Sequence, residues 1–224
     1  MNHSQRRRWL QLAAVGALGP AGLAGWIAKA LAAGTAGGAD GLVRLEGTAT
    51  VNGMPVKPGA PVQAGDRVVT GKDSSAVVVV GQDAFLLRSQ TVIAYGGKSK
   101  TVTRITVEQG KTLAVFGPKA LEIQAANASI GIRGTAAYLE VDPRQVYFCL
   151  CYGEAVIAGP KMLDKVVKTT HHEQPLYLRD DGTTLTAEPG PFLNHTDAEL
   201  VMLEELCGRE PPFMKGGMYP AKQY

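Results

Sequence analysis

The 224-residue sequence contains no Gly-x-Ser-x-Gly elbow, no Walker loop and no Gly-x-Gly-x-x-Gly fingerprint. Those absences argue against α/β-hydrolases, P-loop nucleotide hydrolases and dinucleotide-binding folds. The nearest glycine pattern, Gly131-Ile132-Arg133-Gly134, sits in strand-like sequence with no helix pattern behind it. Helical periodicity is nearly missing from residues 42–158, which excludes a helix-built body. A basic surplus is missing there too. The chain carries 23 basic and 20 acidic residues, net +3, yet Arg6, Arg7, Arg8 and Lys29 all precede Asp40, the first acidic residue. Beyond residue 32, 19 basic groups face 20 acidic ones, a balance of −1, so no electrostatic footprint for nucleic acid is left. What is present is 45% hydrophobic residues with 27 Gly and 13 Pro: material for a core and frequent turns, unlike a disordered or collagen-like chain. The roughly 190 residues after the leader make one domain of ordinary size with an appended subdomain, not two large enzymatic domains.

The leader reads Arg6-Arg7-Arg8-Trp9-Leu10, then an apolar stretch over residues 12–28 diluted by Gly16, Gly19, Pro20, Gly22 and Gly25, then Ala30-Leu31-Ala32. A basic start, a weakly apolar middle and a small-residue end describe a secretory signal over residues 1–32. The Arg-Arg-x-aromatic-Leu pattern resembles the twin-arginine signal, which exports folded proteins across the bacterial inner membrane. The resemblance implies Arg6, Arg7, Trp9 and Leu10 as signal residues and the twin-arginine translocase as a partner during export. It places the body in the periplasm or on the outer face of the inner membrane. A permanent N-terminal anchor is the alternative, since residues 9–28 are just long enough to span a bilayer; membrane contact is expected only through this segment.

From residue 42 to 158 short apolar runs alternate with glycine-containing turns, the pattern of strands with one buried face. Strands are expected at 42–51, 67–70, 76–80, 84–87, 91–95, 101–107, 113–116, 121–124, 136–141, 146–152 and 155–158. Asn52-Gly53 marks a two-residue hairpin, because both central positions of a type I′ turn need positive φ. Gly65-Asp66, Gly81-Gln82-Asp83, Gln109-Gly110, Asp142-Pro143 and Gly153-Glu154 read as further turns. The fold class is therefore all-β: a sandwich, barrel or β-solenoid.

Particular residues narrow this. Gly59-Ala60-Pro61-Val62-Gln63-Ala64-Gly65-Asp66-Arg67-Val68-Val69-Thr70-Gly71, followed by Ser75-Ala76-Val77-Val78-Val79, resembles the opening of FecR domains. Ile130-Gly131-Ile132-Arg133-Gly134-Thr135-Ala136-Ala137-Tyr138-Leu139-Glu140-Val141 resembles that family's "RGT" block. Val107-Glu108-Gln109-Gly110 and Tyr152-Gly153-Glu154-Ala155-Val156 fall where its intervening and closing glycines fall. The likeness covers residues 43–158. It implies a solenoid-like or rolled β-domain outside the cytoplasm, of the kind that senses a partner protein or an envelope signal. In the namesake regulators a cytoplasmic segment before the membrane helix controls a sigma factor; only Met1 to Gln5 precede the arginines here, so a stand-alone domain without that segment is expected. For Arg133-Gly134-Thr135 two roles stand: a structural corner whose arginine satisfies loop carbonyls, or a ligand-binding arginine.

The tail, residues 159–224, changes character. Strands are expected at 165–170 and 176–178, and Thr196-Asp197-Ala198-Glu199 reads as a capping box opening one short helix over 197–207, stopped by Gly208. That helix is expected to cover a sheet edge or an open end, and the chain from Pro211-Pro212 onward to be extended. Every cysteine, and every histidine outside the leader, lies beyond residue 148. Cys149 and Cys151 are two apart on one strand and so share a face. With His171, His172 and Cys207 they offer thiolate and imidazole donors for zinc, copper or iron, and folding before export suits a protein that acquires its metal in the cytoplasm. A disulfide from Cys149 or Cys151 to Cys207, or packed free thiols, are the other readings; His195 by itself reads as a packing residue. A cysteine nucleophile would need exposure that strand residues of this kind lack, so no enzyme is expected. Two functions remain: a non-enzymatic protein that binds a partner protein or cell-wall component in envelope sensing or scaffolding, or a small periplasmic metal-binding or redox protein.

Overall fold

The structure is a computed structural model and describes residues 40–214; the expected export signal and the last ten residues lie outside them. The alternating runs form fifteen strands: β1 (Gly41–Glu46), β2 (Ala49–Val51), β3 (Met54–Pro55), β4 (Arg67–Thr70), β5 (Ser75–Val80), β6 (Asp83–Leu87), β7 (Val92–Lys98), β8 (Thr101–Val115), β9 (Ala120–Ala125), β10 (Ala128–Arg133), β11 (Ala136–Asp142), β12 (Gln145–Gly159), β13 (Met162–Thr169), β14 (Leu176–Asp180) and β15 (Leu185–Pro189). A first sheet runs β1-β5-β6-β8-β11-β12-β14-β15. A second runs β3-β2-β4-β7-β8-β9-β10-β12-β13. Because β8 and β12 belong to both, β8, β9, β10, β12 and β11 close into a ring. The all-β expectation holds in its rolled form. The solenoid-like element is confined to one parallel step, where the chain returns as β9 beside the first half of β8, with Arg104 opposite Glu122.

The two shared strands correct the sequence reading. Gln109-Gly110 and Gly153-Glu154 are not turns; each strand continues through its glycine while passing from one sheet to the other. Gly110 takes φ +93° and Gly153 φ +101°. A Cβ on Gly110 would stand 2.5 Å from Thr91 Cα, and one on Gly153 2.5 Å from Thr135 Cγ2. The same glycine signal therefore marks a reversal at Asn52-Gly53, where φ is +51° and +81°, and a pivot here. What separates them is the partner strand, which a local pattern does not contain. Three further strands, β3, β10 and β15, had no expected counterpart.

Between the sheets lies the main core, built from residues such as Phe85, Tyr95, Ile123, Leu139 and Phe148. The outer face of the first sheet is covered as well. There Tyr138, Tyr147, Cys149, Cys151 and Tyr152 meet Leu200, Met202 and Leu203 of a helix, α1 (Asp197–Leu206). Residues 146–152 are consequently buried on both sides of β12, which is why their sequence runs apolar without alternation. β13, β14 and β15 feed Val167, Leu176, Leu178 and Leu185 into the main core, so the segment after residue 158 shares that core. The helix lies on a sheet face and packs against β6 and β8, in place of the expected edge or open end, because that face is the one carrying the outward apolar residues.

The pivots predict a contrast in stability. Gly153→Ala puts a Cβ into Thr135 at a disfavoured φ and should cost about 2 to 3 kcal/mol, whereas Gly53→Ala, facing open space, should cost about 1 kcal/mol. Urea unfolding of both variants measures the difference; equal losses would remove the pivot role.

Candidate functional site

The outer face of β12 carries Cys149 and Cys151 side by side, as two-residue spacing dictates. Above them the β13–β14 connection folds back. Its return is fixed by Thr169 Oγ1 donating to Leu150 O at 2.9 Å and His172 N donating to Cys151 O at 3.0 Å. Glu173 holds the loop by accepting from Thr170 N at 2.7 Å and His171 N at 3.0 Å. Burial opposes the charge on Glu173, but the bonds from Thr170 and His171 outweigh it and hold its carboxyl at about 2. His172 sits in the left-handed region at φ +58°, a conformation that costs a non-glycine residue on the order of 1 kcal/mol and persists where the surroundings over-determine it.

A second loop arrives from the C-terminal side. Tyr147 Oη donates to Pro191 O at 2.8 Å, Arg88 donates to Asn194 O at 2.7 Å, and Asn194 Nδ2 donates to Glu140 at 2.6 Å. With Asn194 at φ +55°, these bonds aim His195 inward. The expected capping box then starts α1: Glu199 N donates to Thr196 Oγ1 at 3.3 Å and Thr196 N to Glu199 Oε2 at 2.9 Å. Arg88, over the Tyr138 ring, also pairs with the buried Glu199. At the far end Glu204 accepts from Tyr152 Oη and from Arg209, after which Gly208 at φ +70° ends the helix.

These elements bring Cys149, Cys151, His172 and His195 together, all four buried, with one ligand-type atom from each within 4.8 Å of the others. Cys149 Sγ is 3.5 Å from His172 Nδ1, and His172 Nδ1 is 3.2 Å from His195 Nε2. The far nitrogens settle the tautomers. His195 Nδ1 lies 2.6 Å from the Leu193 carbonyl and His172 Nε2 3.1 Å from Asp197 Oδ1; both partners only accept, so both rings donate there. The other nitrogen of each ring faces the second ring and the sulfurs, so a proton or a cation among the four groups decides which of them donates there. Cys149 is held well below the thiol range, first by the adjacent Cys151 and then by the two histidines, while burial beside Cys149 pushes Cys151 up. Burial works against a charge on His172, but Asp197 and Cys149 raise its affinity for a proton. Tyr138 stacks on His195 with centroids 4.5 Å apart, and Phe192 flanks His172 at 4.6 Å and His195 at 4.4 Å.

Of the residues singled out from sequence, Cys149, Cys151 and His172 converge. His171 stays outside the four: its Nε2 meets Asp197 Oδ1 at 2.8 Å and its ring packs on Phe213. Cys207 caps the C-terminal end of α1, where burial pushes its thiol up to about 11. All three cysteines are free thiols, so the alternative disulfide to Cys207 is not formed. His195 and Asp197 were missed because each depends on where α1 docks, although the crowding of histidine beyond residue 148 was the available signal. Arg133 is exposed and, with Glu122, Glu154 and Val156, lines an open groove on the second sheet. Gly134 beside it turns the corner between β10 and β11 at φ +57°.

No family model matches the chain, and no curated protein matches it. Among solved structures, it is similar to two crystal structures, at 2.50 and 1.65 Å resolution, of a protein from Parabacteroides distasonis ATCC 8503 provisionally assigned as an anti-sigma factor. The TM-scores are 0.46 and 0.45 at 10% identity, covering 55% of this chain and 59% of theirs. The chain thus spans less than two thirds of the length of these neighbours.

The capping box carries its own expectation. Thr196→Ala leaves the Glu199 amide without its side-chain acceptor and should weaken α1 by about 1 kcal/mol. Hydrogen exchange of the α1 amides should speed up about fivefold with the β12 amides unchanged; unaltered exchange in α1 would show that the cap bears no weight.

Proposed function

We propose that this protein is a non-enzymatic, exported β-domain that holds one zinc ion in a closed site made by Cys149, Cys151, His172 and His195, and that serves as a binding or scaffolding module of the cell envelope. The observation that carries the metal is the pair of buried imidazole nitrogens facing each other across 3.2 Å beside two sulfurs. Buried acceptors in that arrangement repel unless a cation or a proton lies between them. The spacing suits zinc. Bonds of about 2.3 Å to sulfur and 2.0 to 2.1 Å to nitrogen in a tetrahedron put a sulfur and a nitrogen about 3.6 Å apart and two nitrogens about 3.3 Å apart. The corresponding separations here are 3.5 and 3.2 Å.

Two thiolates and two imidazoles fill a tetrahedron, leaving no position for substrate, which is the pattern of a structural site. Carbonyl and carboxylate acceptors behind the two histidines are what ligating histidines normally have. A closed tetrahedral set of two sulfurs and two nitrogens favours zinc by geometry over iron and copper, although copper stands above zinc in intrinsic affinity for such donors. Cys149 and Cys151 are wholly buried, which supports a role without nucleophilic chemistry. The FecR-like motifs support the envelope partner, and the leader supports export by the twin-arginine route.

Full-length protein purified after export from its own host should contain one zinc per chain. Cys149→Ser or His195→Ala should lower the affinity at least tenfold, while Cys207→Ser leaves the zinc content unchanged. Free zinc at about a thousand times Kd should stabilise the metal-free protein by about 4 kcal/mol. Metal-free protein with three titratable thiols, indifferent to added zinc, copper or iron, would overturn the metal reading. For export, Lys in place of Arg6, Arg7 and Arg8 preserves charge but removes the guanidinium groups and should retain the folded protein in the cytoplasm; undiminished periplasmic accumulation would count against this route.

A further inference from the structure

We infer that α1 with its flanking residues is the gate of the metal site, so that the ion is seated before the helix docks and leaves only when the helix lifts; this rests on the zinc reading. On the solvent side of the four donors, residues 192–213 form one segment that adds to the cover given by the sheet and the β13–β14 loop. Phe192 walls the two histidine rings, His195 is itself a donor, Asp197 holds His172, Leu200 and Leu203 pack with Cys149 and Cys151 in one cluster, and Phe213 lies on His171. Beneath the donors the sheet backs onto the main core. Cys149 and Cys151 are fully buried, with His172 only 7% and His195 3% exposed, so while the segment stays down it shields the donors from solvent and from a competing ligand.

The segment is built to lift as a unit. A ten-residue helix is marginal by itself, and it is fastened at separable points: the cap and Arg88 at its start, Leu200 and Leu203 along its buried side, and Glu204 with Tyr152 and Arg209 at its end. Arg209 also donates to Gln82 O at 2.7 Å. Because His195 and Asp197 sit on the moving segment, opening removes one ligand and the hydrogen-bond partner of another. The ion and the helix thus hold each other in place, and each fastening lost at the far end raises the open fraction and with it the rate of metal loss.

The test uses the full zinc-loaded chain, mixed anaerobically with excess chromogenic chelator, with α1 hydrogen exchange followed in parallel. Wild-type release should be slow and no faster than α1 opening. Arg209→Ala, remote from the donors, should speed release roughly fivefold, and Leu203→Ala thirtyfold or more, each in proportion to its α1 exchange. Both should still bind one zinc, and Met54→Ala in the exposed β2–β3 hairpin should match wild type. Arg209→Ala keeps the experiment decisive should Leu203→Ala fail to fold. Release at one rate in all variants despite faster α1 exchange, or release quicker than α1 opens, overturns the gate and leaves the zinc site standing. A chain that holds no metal overturns both.

Discussion

Two imidazole rings whose far nitrogens donate to a carbonyl and a carboxylate, and whose near nitrogens face each other across 3.2 Å, set the terms for the outer half of this molecule. Neither ring can turn away without abandoning a buried carbonyl or carboxylate, and neither sulfur has water to retreat to. The arrangement calls for a proton or a cation among the four groups. Placing these four donors demands much of the chain: a strand covered on both faces, a loop with a left-handed histidine, and a helix whose first residue supplies Asp197. Each is an unusual local choice, and the donors are where the choices meet.

β12 is the element that makes this meeting possible. Its first half lies in the first sheet and presents Cys149 and Cys151 outward; two residues past Cys151 the chain pivots at Gly153 into the second sheet. Thr135 packs so close beneath that glycine that no side chain fits. The donor pair therefore stands on backbone paired to β11 on one side, tied to the β13–β14 connection on the other and backed by the main core. Mobility is left to the other side, where the covering segment is short and helical and is fastened by a few side chains. Metal sites with one rigid and one docking half link occupancy to the order of that docking half.

The sequence reveals the strands because burial on one face writes itself as alternation, and it reveals the helix start because a capping box is a four-residue signal. It conceals whatever depends on partners distant along the chain. Gln109-Gly110 and Gly153-Glu154 look like turns, since a glycine with positive φ serves a reversal and a strand pivot alike. His195 looks like packing, since nothing near it says that His172 lies across the gap, while Cys207 looks like a donor by composition alone. Cys149, Cys151 and His172 were legible as donors because the strand spacing and the clustering are local properties. Asp197 was not, because an acidic first-turn residue already has a sufficient explanation in the helix dipole.

The closed site and the leader bear on each other. An ion seated as proposed, before the covering segment docks, would be taken up where the chain folds, whatever metals surround the finished protein later. Thiolates are kept reduced in the cytoplasm and are open to oxidation in the envelope. A protein threaded unfolded across the membrane would meet its metal with exposed cysteines in the oxidising compartment, in competition with copper, which such donors bind more tightly than zinc. A protein folded first carries the ion already enclosed. The proposed metal and the twin-arginine resemblance of the leader fit together on this reasoning: export after folding would separate the choice of metal from the place where the domain works.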